Sequence, residues 1–308
     1  MSTWPSPPSA PRPPDPVSFW ADASVVLEPE DPRPGSWAGG PSAQLVGDDW
    51  WLAYRLRRPV GEGRGFGNVI ARSTDGVRFT PVVEFGKDQF GAESLERPAL
   101  VHTPEGRWRL YVSCATPGTK HWRVDLLEAD SVEGLATATA ETVLPGSDTT
   151  AVKDPVLRWD GRRWHLWASV HPLEDPAATD RMTTEHATSD DGVDWTWQGT
   201  ALAGTPGSWD ARGVRFATVV LDGERTWALY DGRATAVENW EERTGLARAA
   251  DGGRFTTVGD APLLQSPHPP CGLRYADMVA LPDGGARWFY EATRADGAHQ
   301  LRTVLLPG

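Results

Sequence analysis

Two cysteines in a chain of 308 residues, Cys114 and Cys271, exclude a disulfide framework, and they read as free thiols. No stretch approaches the roughly 18 apolar residues of a membrane-spanning helix. The N-terminal segment has neither the basic start nor the apolar run of a secretory signal, so a soluble, cytoplasmic protein with no membrane partner is expected. Basic stripes are missing as well. A formal net charge of -12 and a pI near 5.0 argue against a nucleic-acid partner, since nothing is arrayed to displace counterions from phosphates. The seven histidines show no metal-ligand spacing, so no cofactor is expected, with a metal ion in a central channel left open. There is no Gly-x-Ser-x-Gly elbow and no cysteine–histidine signature, which removes serine and cysteine acyl transfer. "GEGRGFG" at Gly61–Gly67 is followed by no helix, so it reads as a flap rather than a dinucleotide loop. Amphipathic helices are absent from the pattern throughout.

What the chain does have is repetition. "RSTDGVRFTPV" at Arg72 returns as "TSDDGVDW" at Thr188 and "RAADGGRFTTV" at Arg248, with a worn copy around Asp130, at intervals of about 60 residues. A second series keeps the same period: "GGPSAQLVGDDWWLAY", "ERPALVHTPEGRWRLY", "KDPVLRWDGRRWHLW", "GVRFATVVLDGERTWALY" and "YADMVALPDGGARWFY". Within each unit, short runs of alternating apolar residues are separated by Asp-Gly or Pro-Glu-Gly, the chemistry of hairpins. Each unit divides into four strands, the blade of a β-propeller, and the count is five. The last unit ends with three strands, so its outer strand should be "SVVLEPE" near Ser24, which closes the ring. The expected organisation is a Pro-rich lead over residues 1–21, extended or disordered through residue 17, and one all-β five-bladed propeller over 22–308.

Connections between first and second strands are short turns, whereas those between second and third strands are long and polar. Such loops are where function collects. They share one mouth of the propeller, and a ligand pocket is expected over the central funnel. Trp51, Trp108, Trp164, Trp227 and Trp288 recur at one place in the second strand and read as packing between blades. Trp37, Trp122, Trp209 and Trp240 fall outside that pattern, in or beside loops, where an indole can stack on a sugar. His121 and His171 sit in mouth loops within reach of a ligand.

At the start of the innermost strand the copies stop agreeing: Gly39-Gly40, Glu96-Arg97, Lys153-Asp154, the stretch Asp210 to Arg215, and Arg274 to Asp277. Charges crowded on a narrow axis push pKa values apart, which is how general acids and bases are made. The alternative is that they pair as ion clusters that fix the ring, Glu96 with a nearby Arg and Asp154 with Lys153 or Arg215.

With these motifs the chain resembles the five-bladed propeller glycosidases, the superfamily of glycoside hydrolase families 43, 62, 32, 68, 117 and 130, over about residues 22–308. The carriers are "AVKDPVLRWDGRRWHLW", "ERPALVHTPEGRWRLYVS", "SWDARGVRFATVVLDGERTWALYDG" and "ATSDDGVDW". The resemblance implies a carbohydrate or small glycoside substrate and three inner carboxylates. Asp154 matches the one that orients and tunes, and Asp210 stands nearest to the proton donor. Gly40 stands where the first-blade Asp belongs, so Glu96 or Glu93 is the expected replacement base or nucleophile. Arg97, Arg215, Arg274, Asp277 and Trp209 are expected to bind substrate. If one carboxylic acid suffices, as family 130 phosphorylases imply, then Arg97, Lys153, Arg212, Arg215 and Arg274 would hold inorganic phosphate. A third course is a ligand-binding propeller without turnover. A monomer is expected in each case.

Overall fold

The computed structural model describes residues 11–308, so the first ten residues of the Pro-rich lead lie outside the described residues. A short helix α1 (Pro16–Ala21) comes first, followed by strand β1 (Ser24–Leu27). Blade one holds β2 (Trp37–Val46), β3 (Asp49–Arg57), β4 (Gly65–Ser73) and β5 (Thr80–Gly86). Blade two holds β6 (Leu95–His102), β7 (Trp108–Ala115), β8 (Trp122–Ala129) and β9 (Glu141–Leu144). Blade three holds β10 (Thr150–Trp159), β11 (Trp164–Pro172), β12 (Thr183–Ser189) and β13 (Thr196–Leu202). Blade four holds β14 (Gly213–Val220), β15 (Trp227–Arg233), β16 (Arg243–Ala249) and β17 (Phe255–Val258). Blade five holds β18 (Leu273–Ala280), β19 (Ala286–Thr293) and β20 (His299–Leu306). Strands within a blade are antiparallel neighbours in chain order, and β1 pairs antiparallel with β20 as the fourth strand of blade five. The ring therefore closes through both ends of the chain, as the repeat count requires.

Five apolar clusters fill the five gaps between neighbouring blades. Trp108 packs between blades one and two, Trp164 between two and three, Phe216 between three and four, Trp288 between four and five, and Phe289 between five and one. The recurring tryptophans are thus packing groups. The repeated Asp-Gly tag is structural too. Asp75 accepts from the backbone N–H of Val77 (2.9 Å) and Arg78 (2.8 Å), and Asp191 does the same for Val193 (2.8 Å) and Asp194 (2.9 Å). The glycine that follows takes a left-handed backbone, φ 71° at Gly76 and 78° at Gly192.

The lead differs from the expected extended segment. Asp15 caps α1 by accepting from Ser18 N (2.9 Å), Pro16 supplies a preset first turn, and Phe19 is fully buried between blades four and five. One turn of helix escapes a periodicity search because it is too short to show a period. Cys114 and Cys271 are free, and no helix among the described residues is long and apolar enough to cross a membrane.

Candidate active site

In every blade the pairing of the first two strands slips at the same level: between Gly39 and Ser42, Leu95 and Pro98, Lys153 and Val156, Phe216 and Thr218, and Arg274 and Asp277. Such bulges re-aim the side chains beside them. At three of them a residue takes a left-handed backbone: Gly40 at φ 60°, Asp154 at 53° and Tyr275 at 55°. For Asp and Tyr that conformation costs about 1–3 kcal/mol, so the surrounding packing must enforce it. As a result Glu96, Lys153, Arg215 and Arg274 face a cavity of about 590 Å³ at the mouth. The four long second-to-third connections complete its walls, with Arg64, Lys120, Asp180 and Trp240 among the residues they contribute.

The charges alternate around the axis. Glu96 pairs with Arg55, Arg55 with Glu291 (2.7 Å), Glu291 with Arg274 (2.6 Å) and Arg274 with Glu242 (2.9 Å). Glu242 also meets Arg233 and Arg215 (3.4 Å), and Arg215 continues to Asp231 (3.0 Å) and Asp154 (3.7 Å). Lys153 stands 3.5 Å from Asp154. The buried Tyr275 ring plugs the channel beneath this circuit. Arg215 lies 3.9 Å from its centroid and Arg274 5.3 Å, while its hydroxyl donates to Asp154 Oδ2 (3.4 Å). The ion-cluster alternative is therefore built as written for Asp154, and Arg55 is the partner of Glu96.

Despite the acidic chain, the cavity wall is cationic. Seven Lys and Arg side chains line it against four carboxylates. Four buried nitrogens of lining residues find no partner: Trp37 Nε1, Arg57 Nε, Arg233 Nε and Arg274 Nη2. Burial pulls Arg57 down to about 9, helped by repulsion from Arg55, Arg274 and Arg64. Burial likewise brings Lys153 down to about 8 against the pull of Asp154. Asp154 is held below the usual carboxylate range, since Lys153 and Arg215 outweigh the cost of burial. Burial raises Asp231 to about 6. His171 lines the cavity as a neutral ring, lowered by burial and by Lys153 to about 3, with Nδ1 donating to the Thr179 carbonyl (2.8 Å).

Of the residues singled out in the sequence, Glu93, Glu96, Lys153, Arg215 and Arg274 line the cavity, and Asp154 lies directly behind Lys153. Asp210 does not join them. Its carboxylate accepts from Tyr230 Oη (2.9 Å) and Thr205 N (3.2 Å), inside blade four. Trp209 stacks on the same Tyr230 ring at 5.6 Å and is no sugar platform at the mouth. Arg212 is committed to Asp180 (2.6 Å) and the Ala177 carbonyl (2.7 Å), outside the funnel. Arg97 and Asp277 sit on the far side of the bulges. Arg97 Nε donates to the Pro41 carbonyl (3.1 Å), and Asp277 accepts from Ala43 N (2.9 Å) and Arg158 (3.2 Å). The bulge explains both, because it turns consecutive residues to opposite sides of the plug. Three out-of-pattern tryptophans, Trp37, Trp122 and Trp240, do line the cavity, whereas His121 bonds Thr116 (2.9 Å) beside it.

Sequence reading missed Arg55, Arg57, Asp231, Arg233, Glu242 and Glu291. For three of them the signal was a charge set directly after the second-strand tyrosine: Tyr54-Arg55, Tyr230-Asp231 and Tyr290-Glu291. A Cβ on Gly39, the residue before Gly40, would fall inside the Glu291 carboxylate, so a side chain from β19 occupies the space beside Gly39. Among the described residues no group of three or more His, Cys, Asp or Glu is arranged to hold a metal ion.

No family model and no curated protein matches the chain. Its fold does match solved structures. A β-1,2-mannobiose phosphorylase from Listeria innocua is 14% identical at TM-score 0.65, covering 94% of this chain and 93% of that one. A glycosyl hydrolase from Bacteroides ovatus is 14% identical at TM-score 0.61, with 96% of each chain covered. A thermostable family-43 glycoside hydrolase is 11% identical at TM-score 0.65, covering 91% of this chain and 96% of that one. The chain is a five-bladed β-propeller of the architecture used by glycoside hydrolases and mannoside phosphorylases.

Proposed function

We propose that this propeller processes a glycoside at its mouth with an oxyanion seated among Arg57, Lys153, Arg233 and Arg274, inorganic phosphate being the simplest such group. The supporting observation is the cationic wall with its unpartnered donors in a chain of charge -12. Hydrolysis by two carboxylates needs a pair about 5–9.5 Å apart that are free to act on water and sugar. Here Asp154, Glu242 and Glu291 are each tied to two or three cations, which disfavours that route. With phosphate as nucleophile one acid is enough. Its oxygen would attack the anomeric carbon as the glycosidic C–O bond breaks, and a protonated carboxyl would donate to the departing oxygen. Glu96 and Glu93 are the candidates for that role, since each lines the cavity and answers to a single guanidinium. Trp240, 38% exposed at the mouth, supplies an apolar wall for the sugar.

The experiment is turnover of aryl glycosides and β-1,2-mannobiose with and without phosphate. Release of sugar phosphate, only when phosphate is present, is the expected result. Hydrolysis without phosphate would overturn the mechanism. Silence in both arms would favour the second reading, binding without turnover, which the paired carboxylates support. Arg57→Gln should weaken phosphate binding by about ten- to a hundredfold, and because the Arg57 guanidinium also stacks on Trp37 (4.1 Å) and Trp240 (4.8 Å), a thermal melt of the variant accompanies the titration. The pH dependence has a definite sign. Arg57 and Lys153 are cations below their values of about 9 and 8 and neutral above them. Affinity for sulfate, whose charge is constant over this range, should therefore be full well below pH 8 and fall as pH rises through 8 and 9. A flat profile in a calorimetric titration would contradict this seating.

A further inference from the structure

A second concavity of about 420 Å³ lies between blades two and three, away from the funnel. One wall is Val143, Leu144 and Pro145 at the outer edge of blade two, and the other is Glu185, Trp195 and Trp197 of blade three. Trp197 is 44% exposed, an unusual state for a large indole on a strand. It sits opposite Ala187, a residue too small to cover it. Trp195 follows the Asp191 turn, whose two backbone hydrogen bonds fix where the indole stands, and its Nε1 is buried without a partner. Glu185 Oε1 accepts from Thr183 (2.8 Å) and Thr200 (2.9 Å), while Oε2 takes no hydrogen bond and no cation among the described residues pairs with it. Ser147 and Thr150 place hydroxyls at the upper end.

We infer that this groove is a second carbohydrate site, which takes a neutral pyranose ring. An indole platform beside an unused N–H donor and an unused carboxylate oxygen fits a ring whose faces are C–H and whose rim is hydroxyl. An apolar peptide would serve the platform but leave Trp195 Nε1 and Glu185 Oε2 without partners. An anionic sugar is disfavoured, because Glu185 is the one charged lining residue and no Lys or Arg answers it. The preference is thus opposite to that of the mouth. Val152 and Lys153 are consecutive in β10, one lining the groove and the other the funnel, so the two sites stand back to back across one strand.

This inference does not depend on phosphate at the mouth, and its test keeps the two apart. Retardation in native gels containing soluble mannan, arabinoxylan or β-glucan would be compared for the wild type, Trp197→Ala, Trp195→Phe and Arg57→Gln. Trp197→Ala, at an exposed position, should weaken binding of at least one polymer about tenfold with melting unchanged. Trp195→Phe keeps the ring and removes only the N–H, so a smaller, severalfold loss is expected. Arg57→Gln should bind like the wild type. Wild-type retardation of Trp197→Ala, a loss confined to Arg57→Gln, or no retardation by any polymer would each overturn the inference.

Discussion

Glu242→Gln is expected to remove about 3–5 kcal/mol of stability, read as a fall in the denaturant midpoint, although the side chains differ by one atom type. The carboxylate is buried among Arg215, Arg233 and Arg274 and gives each of them its acidic partner at this corner of the ring. A neutral amide would leave three guanidiniums facing one another out of water, which is the costly way to break a buried ion pair. Burial opposes the charge on Glu242, yet the three arginines hold its carboxyl far below its ordinary value. Its stabilising contribution is therefore present above the unfolded value of 4.5 and declines only as pH falls well below it. Asp231→Asn is the contrasting variant. Burial and the charge of Glu242 raise Asp231 to about 6, so its ionised form is a burden at neutral pH, and stability from this group grows as pH falls through 6. An amide retains an acceptor for Tyr275 N (3.0 Å), and a cost near 1 kcal/mol is expected. Equal losses in the two variants would mean that the ring does not divide its charge in this way.

The blades were legible because each repeats the same physical demands: hairpin turns, an alternating apolar face and an aromatic at the blade contact. Even the closing strand at Ser24 followed from counting. The level at which charged side chains gather was legible as well, since Glu96, Lys153, Arg215 and Arg274 do meet at the mouth. What could not be read was direction. Arg97 follows Glu96 and Asp277 lies three residues after Arg274, yet each falls below the plug, because a bulge at every inner strand breaks the two-residue alternation on which facing is judged. Asp210 failed for another reason. It precedes its strand, and Tyr230 and Thr205 draw it into the blade. Partners on second strands, such as Arg55 and Glu291, were hidden because those strands read as packing elements.

Carboxylates are concentrated on the axis, and Glu96, Asp154, Glu242 and Glu291 each have a cationic partner. Pairing of this kind fixes where the charges stand around the axis and limits their freedom to exchange protons. Under the proposed reading, such a cationic bowl selects for charge on the ligand first and for sugar shape second.

The last expectation concerns two adjacent glycines with opposite tolerances. Gly39→Ala should cost about 3 kcal/mol or more, because the added methyl lands in the carboxylate of Glu291. Glu291 cannot step aside cheaply, being held by Arg55 (2.7 Å), Arg274 (2.6 Å) and His299 (2.7 Å). Gly40→Asp, one residue on, should cost only the strain of its left-handed backbone, about 1–3 kcal/mol. Its φ of 60° is the conformation that Asp154 already adopts at 53° in blade three, and the atoms nearest to a Cβ there belong to Arg97, at an ordinary 3.5 Å. The new carboxylate would also stand beside Arg97, whose Nη1 lacks a partner. Thermal melts of the two variants provide the comparison. If Gly39→Ala melts with the wild type, Glu291 does not fill the space beside Gly39, and the ring must be drawn without it. If Gly40→Asp proves the more damaging, the backbone at Gly40 excludes a carboxylate more firmly than Glu291 excludes a methyl at Gly39.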